Sequence, residues 1–423
     1  MYLGLDFGTS GARACAIGEN QAVAWEHQLA YPHADGQTPA DWRNALYELL
    51  GILPRHVAES LRGIALSATS ATVLLCDGEL NPLSPALLYH DSRAQAQAEQ
   101  LRRIAPQAHI AGSTSSGLAK FLWLTQRPGS EQARYFLHQA DWLTALLGGK
   151  PGTSDHHNAL KTGYDVEALC WPDWIAALPR AGLLPEVLAP GATVGTILPE
   201  LARRFAIDPQ CSIHAGTTDS TAAFIATGVN EAGTGVTSLG STLVIKQLSA
   251  RRIEALEFGI YSHRFGDLWL VGGASNAGGA VLRQFFDVAD IAALSTRIDP
   301  EHDSPLDYYP LPRPGERFPC NDPQLSPRLT PRPADDAQFL HGLLQGLAHI
   351  EAAGYARLAE LGAPELIRVV SSGGGGQNET WRRIRERVLG VPVCRAEKTD
   401  AAYGSALLCA SNAAQNTERG LPG

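Results

Sequence analysis

One structural scheme occurs twice in this chain, and the repetition constrains its fold more than any other feature. At the start, the apolar run Tyr2 to Leu5 leads to Asp6 at its tip, then a small hydroxyl-rich turn from Phe7 to Gly11, then a second strand from Ala12 to Ile17. At Gly235 to Leu239 a strand runs into Gly240-Ser241-Thr242 and out again along Leu243 to Lys246. Short apolar runs bounded by glycine and hydroxyl residues read as strands joined by tight turns. In the first turn Gly8 and Gly11 let backbone N–H groups approach an anion, while Thr9 and Ser10 add neutral donors. An acid placed as Asp6 is can touch a phosphoryl group. An ordinary β-meander, with a second glycine hairpin arising by coincidence, is the plainer alternative.

Two halves with one such hairpin each match an α/β architecture, a duplicated ribonuclease-H-like fold of two similar lobes with an interlobe active-site cleft. ATP would lie between the lobes, its phosphates gripped by the hairpins without a P-loop. The Walker pattern is absent, and the DFG triplet at Asp6 is unrelated to the metal-binding triplet of protein kinases, since no catalytic loop precedes it. A third strand is expected from Gln21 to Ala30, and further strands from Gly63 to Ser67, Thr72 to Cys76 and Ile367 to Ser371. Helices are expected over Pro39 to Leu50, Ser92 to Ile104, Gly117 to Gln126, Tyr135 to Leu147, Asp335 to Leu361, Glu379 to Leu389 and Ala401 to Ala410. Ala189 to Gly195 and the proline-dense Pro305 to Pro333 read as irregular excursions.

A length of 423 residues suits two domains. The expected division is residues 1–226, completed by a C-terminal helix over 400–423, and residues 227–399. No segment has the unbroken apolar length of a membrane helix, and a formal net charge of −9 gives no footprint for nucleic acid. Seven scattered cysteines without a CxxC pair fit reduced thiols, and the N-terminus lacks secretory features, so a cytoplasmic protein is expected. His156-His157 has no acidic or cysteine cluster to complete a metal site and reads as a loop or surface pair.

Three further constellations carry chemistry. Asp219 follows His214-Ala215-Gly216-Thr217-Thr218 and precedes an apolar helix from Ala222 to Thr227. A carboxylate there can accept the proton of a hydroxyl that attacks a phosphoryl group, or cap the helix, and one residue can do both. Val369-Val370-Ser371-Ser372 leads into Gly373 to Gly376, then Gln377-Asn378 and Trp381. Four glycines after a buried strand imply a flat body against the backbone; an adenine ring fits, with Asn378 as a polar edge and Trp381 as an apolar wall. Finally, Ser67-Ala68-Thr69-Ser70-Ala71-Thr72 and Tyr89-His90-Asp91-Ser92-Arg93 concentrate short polar side chains at strand ends, where Ser70, Asp91 and Arg93 can hold a polyhydroxylated substrate. Singly, Ser70 also reads as a turn residue, and Asp91 with Arg93 as a surface ion pair or helix cap.

Taken together, LGLDFGTSGAR, AGTTDSTAAFIATG, TSLGSTLVIK, SSGGGGQN and TDAAYGSALLCA, in this order along nearly the whole chain, resemble the FGGY family of carbohydrate kinases. The chain looks shorter than typical glycerol or xylulose kinases, and SATSAT stands where bacterial xylulose kinases usually carry a Gln-Met-His-Gly-type stretch. In both respects it is similar to the compact cyanobacterial and plant plastid kinases associated with D-ribulose. The resemblance implies that Asp219 is the catalytic base, that Asp6 and Asp219 place hydrated Mg²⁺, and that Gly8, Thr9 and Ser10 form the first phosphate turn. It implies a second phosphate turn at Gly240 and Ser241, an adenosine motif at Gly374, Gly375 and Asn378 with Trp381 beside it, and a sugar pocket formed by Asp6, Ser70, Asp91, Arg93 and Asp219. The partners implied are ATP and a small ketose or polyol, with D-xylulose as the runner-up to D-ribulose, in a monomer or homodimer. A nucleotide-operated binding protein of the actin or Hsp70 kind is the competing class. A regulator of the ROK type would need a cysteine-rich zinc motif, which this sequence does not contain.

Overall fold

The computed structural model describes residues 1–32, 37–106 and 109–418. Its chain divides into two units, Met1–Ala226 joined by the stretch that begins at Lys398, and Thr227–Glu397. Each unit is built on one mixed sheet, and the two sheets share a strand order.

In the first unit Tyr2–Phe7 pairs antiparallel with Gly11–Ile17, which pairs antiparallel with Val23–Ala30. On its other side Tyr2–Phe7 runs parallel to Gly63–Ala68, which runs parallel to Ser212–His214. The second unit repeats the plan. Thr234–Leu239 lies between antiparallel Leu243–Ser249 and parallel Arg368–Ser372, with Leu268–Ala274 beyond the former and Val393–Arg395 beyond the latter. This is the duplicated ribonuclease-H-like architecture, three meandering strands followed by two parallel ones, with an additional edge strand in each copy.

Burial explains why the central strands read as continuous apolar runs. Tyr2–Phe7 and Gly63–Ala68 are buried at every position, as strands covered on both faces must be. One face packs on the helix Pro39–Gly51 through Trp42, Leu46, Leu49 and Leu50. The other meets the C-terminal helix Ala401–Glu418, where Tyr2, Cys15 and Ala65 pack on Ala402, Ala406 and Cys409. That helix comes so close that a Cβ on Gly4 would stand 1.9 Å from the Ala402 carbonyl, and one on Gly404 1.9 Å from the Ala222 carbonyl. It therefore braces both the strand that carries Asp6 and the helix that begins at Asp219.

A smaller core in the same unit joins Val73, Leu75, Leu118, Phe121 and Phe136. It is made by the hairpin of Val73–Cys76 with Tyr135–His138, backed by helices Gln95–Ile104 and Gly117–Thr125.

The second unit is centred on the long helix Asp336–Glu360. Buried Glu351 on that helix takes Nε and Nη2 of buried Arg385 at 2.6 and 2.7 Å and the hydroxyl of Thr237 at 2.5 Å; Arg385 also donates to Ser371 Oγ at 2.6 Å. One ion pair thus joins helices Asp336–Glu360 and Glu379–Leu389 to both parallel central strands.

Three expectations need correction. Tyr135 to Leu147 is not one helix, because Tyr135–His138 pairs as a strand with Val73–Cys76 before Gln139–Leu147 coils. Ala189 to Gly195 is irregular only in part, since Thr193–Thr196 forms an edge strand against Ser212–His214. His156 and His157 are neither loop nor surface. They are buried on a short helix capped by Asp155, and His157 Nδ1 pairs with Thr217 Oγ1 at 2.7 Å. Among the described residues no helix is long and apolar enough to cross a membrane.

Candidate active site

The first strand extends through Phe7, so Asp6 sits inside the sheet rather than at a free tip, and it is 2% exposed. Its sheet neighbours hold it from both sides. Ser67, opposite on the parallel strand, donates Oγ to Asp6 Oδ1 at 2.8 Å, and Arg13, opposite on the antiparallel strand, donates Nη1 to Oδ2 at 3.1 Å. Arg13 also reaches Asp400 at 3.9 Å, where the C-terminal helix starts.

Thr217–Thr218 extends the same register. Thr217 pairs with Ser67, which itself pairs with Asp6, and Asp219 follows two residues later as the first residue of helix Asp219–Ala226. Asp219 is half-buried, and its Oδ1 accepts from the Ser220 N–H at 2.6 Å. Burial, and then repulsion from Asp219, push the Asp6 carboxyl up to about 7, against the opposing pull of Ser67 and Arg13. Two carboxylates from distant parts of the chain therefore share the carboxyl end of one sheet.

The first turn is closed by Gly8 N–H to Gly11 O and by Tyr31 N–H to Ser10 O, both at 3.0 Å, leaving the side chains of Thr9 and Ser10 exposed. Its two glycines are there for different reasons. A Cβ on Gly11 would strike the Leu29 carbonyl at 2.1 Å, whereas one on Gly8 would meet nothing closer than 3.6 Å. Gly240 in the second turn is as open as Gly8, and Gly374 has nothing within 4 Å. None of these three takes a positive φ. The fold itself does not require glycine there, so the open space suits a ligand lying against the backbone.

The other glycines after the Arg368–Ser372 strand answer to the protein. Gly373 takes a φ of 78°, and a Cβ on Gly375 would stand 2.6 Å from the Trp381 ring. The segment coils into a 3-10 turn over Gly374–Gln377. Around it the second unit holds a cavity of about 790 Å³, and Gly240, Ser241, Gly374, Gly375, Asn378 and Trp381 all line it. Its volume is that of a site for a molecule of nucleotide size.

Two residues that line that cavity also tie it to the rest of the unit. The Asn378 amide accepts the Trp381 N–H at 3.0 Å and donates to Ser295 Oγ at 2.8 Å, so it caps a helix and shapes the wall while keeping one N–H and one lone pair. Trp381 is 2% exposed and donates its ring N–H to Leu344 O at 3.1 Å, which makes it the floor beneath Gly375. Arg283, which sequence reasoning missed, donates to Ser241 Oγ at 2.6 Å and lines the cavity. No local pattern marks it, because only the fold brings its helix turn to the hairpin.

In the first unit the Ser70 hydroxyl is hidden from solvent and has no hydrogen-bond partner among the described residues. Such a group costs about 1–3 kcal/mol, which a substrate hydroxyl would recover. Asp91 and Arg93 pair with each other: Arg93 donates its N–H and Nε to Asp91 Oδ1 at 3.0 and 2.9 Å, and Nη2 stands 2.8 Å from Oδ2. Burial works upward on the Asp91 carboxyl, but these bonds outweigh it and hold the group below its ordinary value. A second residue, Lys120, stands behind the loops of Ser70 and of Asp91. Its only signal in the sequence is a lone charge in the apolar run LAKFLWL.

Comparison with known proteins accords with this geometry. The N-terminal domain of the FGGY family of carbohydrate kinases matches residues 1–226, and the C-terminal domain of the same family matches residues 229–413. A xylulose kinase of Klebsiella pneumoniae is 26% identical over 92% of this chain and 85% of its own. A gluconokinase of Bacillus subtilis is 21% identical, covering 92% and 82%. Among solved structures, a protein described as a xyloylose kinase from Brucella ovis superposes with a TM-score of 0.83 at 24% identity, covering 97% of this chain and 90% of that one.

Proposed function

The chain belongs to the FGGY family of carbohydrate kinases, and we propose that it transfers the γ-phosphoryl group of ATP to the terminal hydroxyl of a ketopentose, D-ribulose ahead of D-xylulose. The observation that carries this reading is the meeting of Asp6 and Asp219 at one end of one sheet.

In this reading Asp219 accepts the proton of the sugar hydroxyl as that oxygen attacks phosphorus, and the helix N-terminus behind it favours its negative charge. Ser70 donates to or accepts from a sugar hydroxyl, and the Asp91–Arg93 pair frames the pocket. The N–H groups of the Gly8–Ser10 and Gly240–Thr242 turns meet phosphate oxygens, and the cavity above Trp381 receives the adenosine. Positioning and charge neutralisation do most of the work in phosphoryl transfer.

The residues fit a hydrated Mg²⁺. It needs only one or two carboxylates, and the raised carboxyl of Asp6 marks a place where negative charge lacks compensation. Asp6 and Asp219 would hold it through water, and when bound it would neutralise charge on the phosphates.

The Ser67 to Thr72 loop supports D-ribulose, because it has short hydroxyls where a bulkier pattern occurs in bacterial xylulose kinases. The names of the relatives favour D-xylulose as the second reading. A coupled ADP-release assay over D-ribulose, D-xylulose, L-ribulose, L-xylulose, glycerol and erythritol separates them. D-ribulose is expected to give the highest kcat/KM. Turnover of a non-ketose polyol alone would refute the ketopentose assignment, and slow hydrolysis indifferent to every sugar would favour a nucleotide-operated binding protein.

A further inference from the structure

Lys120 is the least expected charge in the first unit. Its side chain is 0% exposed, on the helix Gly117–Thr125, among Leu118, Phe121 and Leu122 of the smaller core. An ammonium in such a place is costly unless its donors are met. All three are met by backbone carbonyls: Nζ donates to Ala71 O at 2.8 Å, to Leu88 O at 2.7 Å and to Tyr89 O at 3.2 Å.

Those carbonyls belong to two different loops. Ala71 follows Ser70 and takes a φ of 61°, a left-handed conformation that alanine rarely adopts. Leu88 and Tyr89 lead into Asp91 and Arg93, and Leu88 O also accepts the Asp91 N–H at 2.9 Å. The same helix grips the second loop again one turn later, where the Arg93 guanidinium lies over the Trp123 ring at 5.4 Å. One ammonium therefore links the loop of Ser70 to the loop of Asp91, and the charged groups that act on it are Asp91 and Lys161.

We propose that Lys120 is a positioning residue for the sugar: by binding three carbonyls of two loops it fixes the spacing between Ser70 and the Asp91–Arg93 pair, and so sets affinity for the sugar and discrimination among ketoses. This rests on the reading of those loops as the sugar pocket. Lys120 touches no substrate; its effect passes through the backbone it holds. A side chain serving only the core could be any apolar residue of like length, and methionine is one.

The test compares Lys120→Met with Ser70→Ala in the full-length enzyme, measuring kcat and KM separately for the preferred ketopentose and for ATP. Lys120→Met is expected to raise the sugar KM at least about tenfold, with the ATP KM unchanged and the preference between D-ribulose and D-xylulose reduced. Loss of stability alone would lower the active fraction and leave both KM values where they were. If Ser70→Ala raises the sugar KM and Lys120→Met does not, the positioning role is refuted while the sugar pocket stands. If neither variant moves the sugar KM, the pocket reading fails and the role of Lys120 fails with it. Lys120→Gln, which keeps two N–H donors on a neutral chain, is expected to fall between the two and carries the same comparison should the methionine variant not fold.

Discussion

At the scale of single residues, the glycines divide by whether the protein or a ligand needs them. Gly8→Ala and Gly374→Ala are expected to fold with Tm within about 2 °C of the parent, because each new Cβ finds space, yet to weaken ATP binding at least about tenfold by calorimetric titration. Gly11→Ala and Gly375→Ala collide with Leu29 and Trp381 and should lower Tm by several degrees instead. Asp219→Ala should fold normally by circular dichroism and lose roughly 10²–10⁴ in kcat, as removal of a general base does; turnover near the parent value would exclude it as the base. Asp6 adds a pH dependence. Its folded carboxyl is pushed up to about 7 from an ordinary value of 3.8, so between those values the folded state holds a proton that the unfolded chain releases. Stability of the ligand-free protein therefore falls as pH rises from about 4 to 7 and levels off above. Asp6→Asn should remove that fall, so that urea unfolding shows it more stable than the parent at pH 7.5 by on the order of 2–4 kcal/mol and nearly equal at pH 4.

At the scale of elements, the strand ends of the second unit are held by partners remote in sequence. The buried Arg385–Glu351 pair links helices Asp336–Glu360 and Glu379–Leu389 to Thr237 and Ser371, just before the Gly240–Thr242 turn and the glycine loop. Removing one partner leaves a buried charge, so Arg385→Met should cost roughly 3–5 kcal/mol in chemical denaturation. Most of these elements are legible in the sequence: strands buried on both faces show as apolar runs, and the helix Asp336–Glu360 shows its period. Where legibility fails, tertiary pairing is the reason. Tyr135–His138 runs without a break into helix-forming residues, and it extends because its aromatic residues suit a strand and Val73–Cys76 offers it a ladder. His157 looks like a surface residue until Thr217 and the Asp155 cap give it buried partners.

At the scale of the whole molecule, the paired acids Asp6 and Asp219 lie in the first unit and the lining of the nucleotide-sized cavity lies in the second. Asp219→Ala should accordingly keep the full rise in Tm that saturating ATP gives the parent, whereas Gly374→Val should lose that rise without loss of stability in the absence of nucleotide. The paired hairpins, the acid after the first strand, the acid before the apolar helix and the glycine loop are all visible in the sequence, because each rests on local rules of turn chemistry and apolar period. What only the tertiary structure decided is which groups are already occupied. Asn378 looks available in the sequence and is bound at both ends; Ser70 looks like a turn residue and its hidden hydroxyl has no partner among the described residues; Lys120 looks like a stray charge and joins two loops. Hydrogen-bond satisfaction depends on neighbours brought together by sheet register and helix packing, and those contacts are not local in the chain.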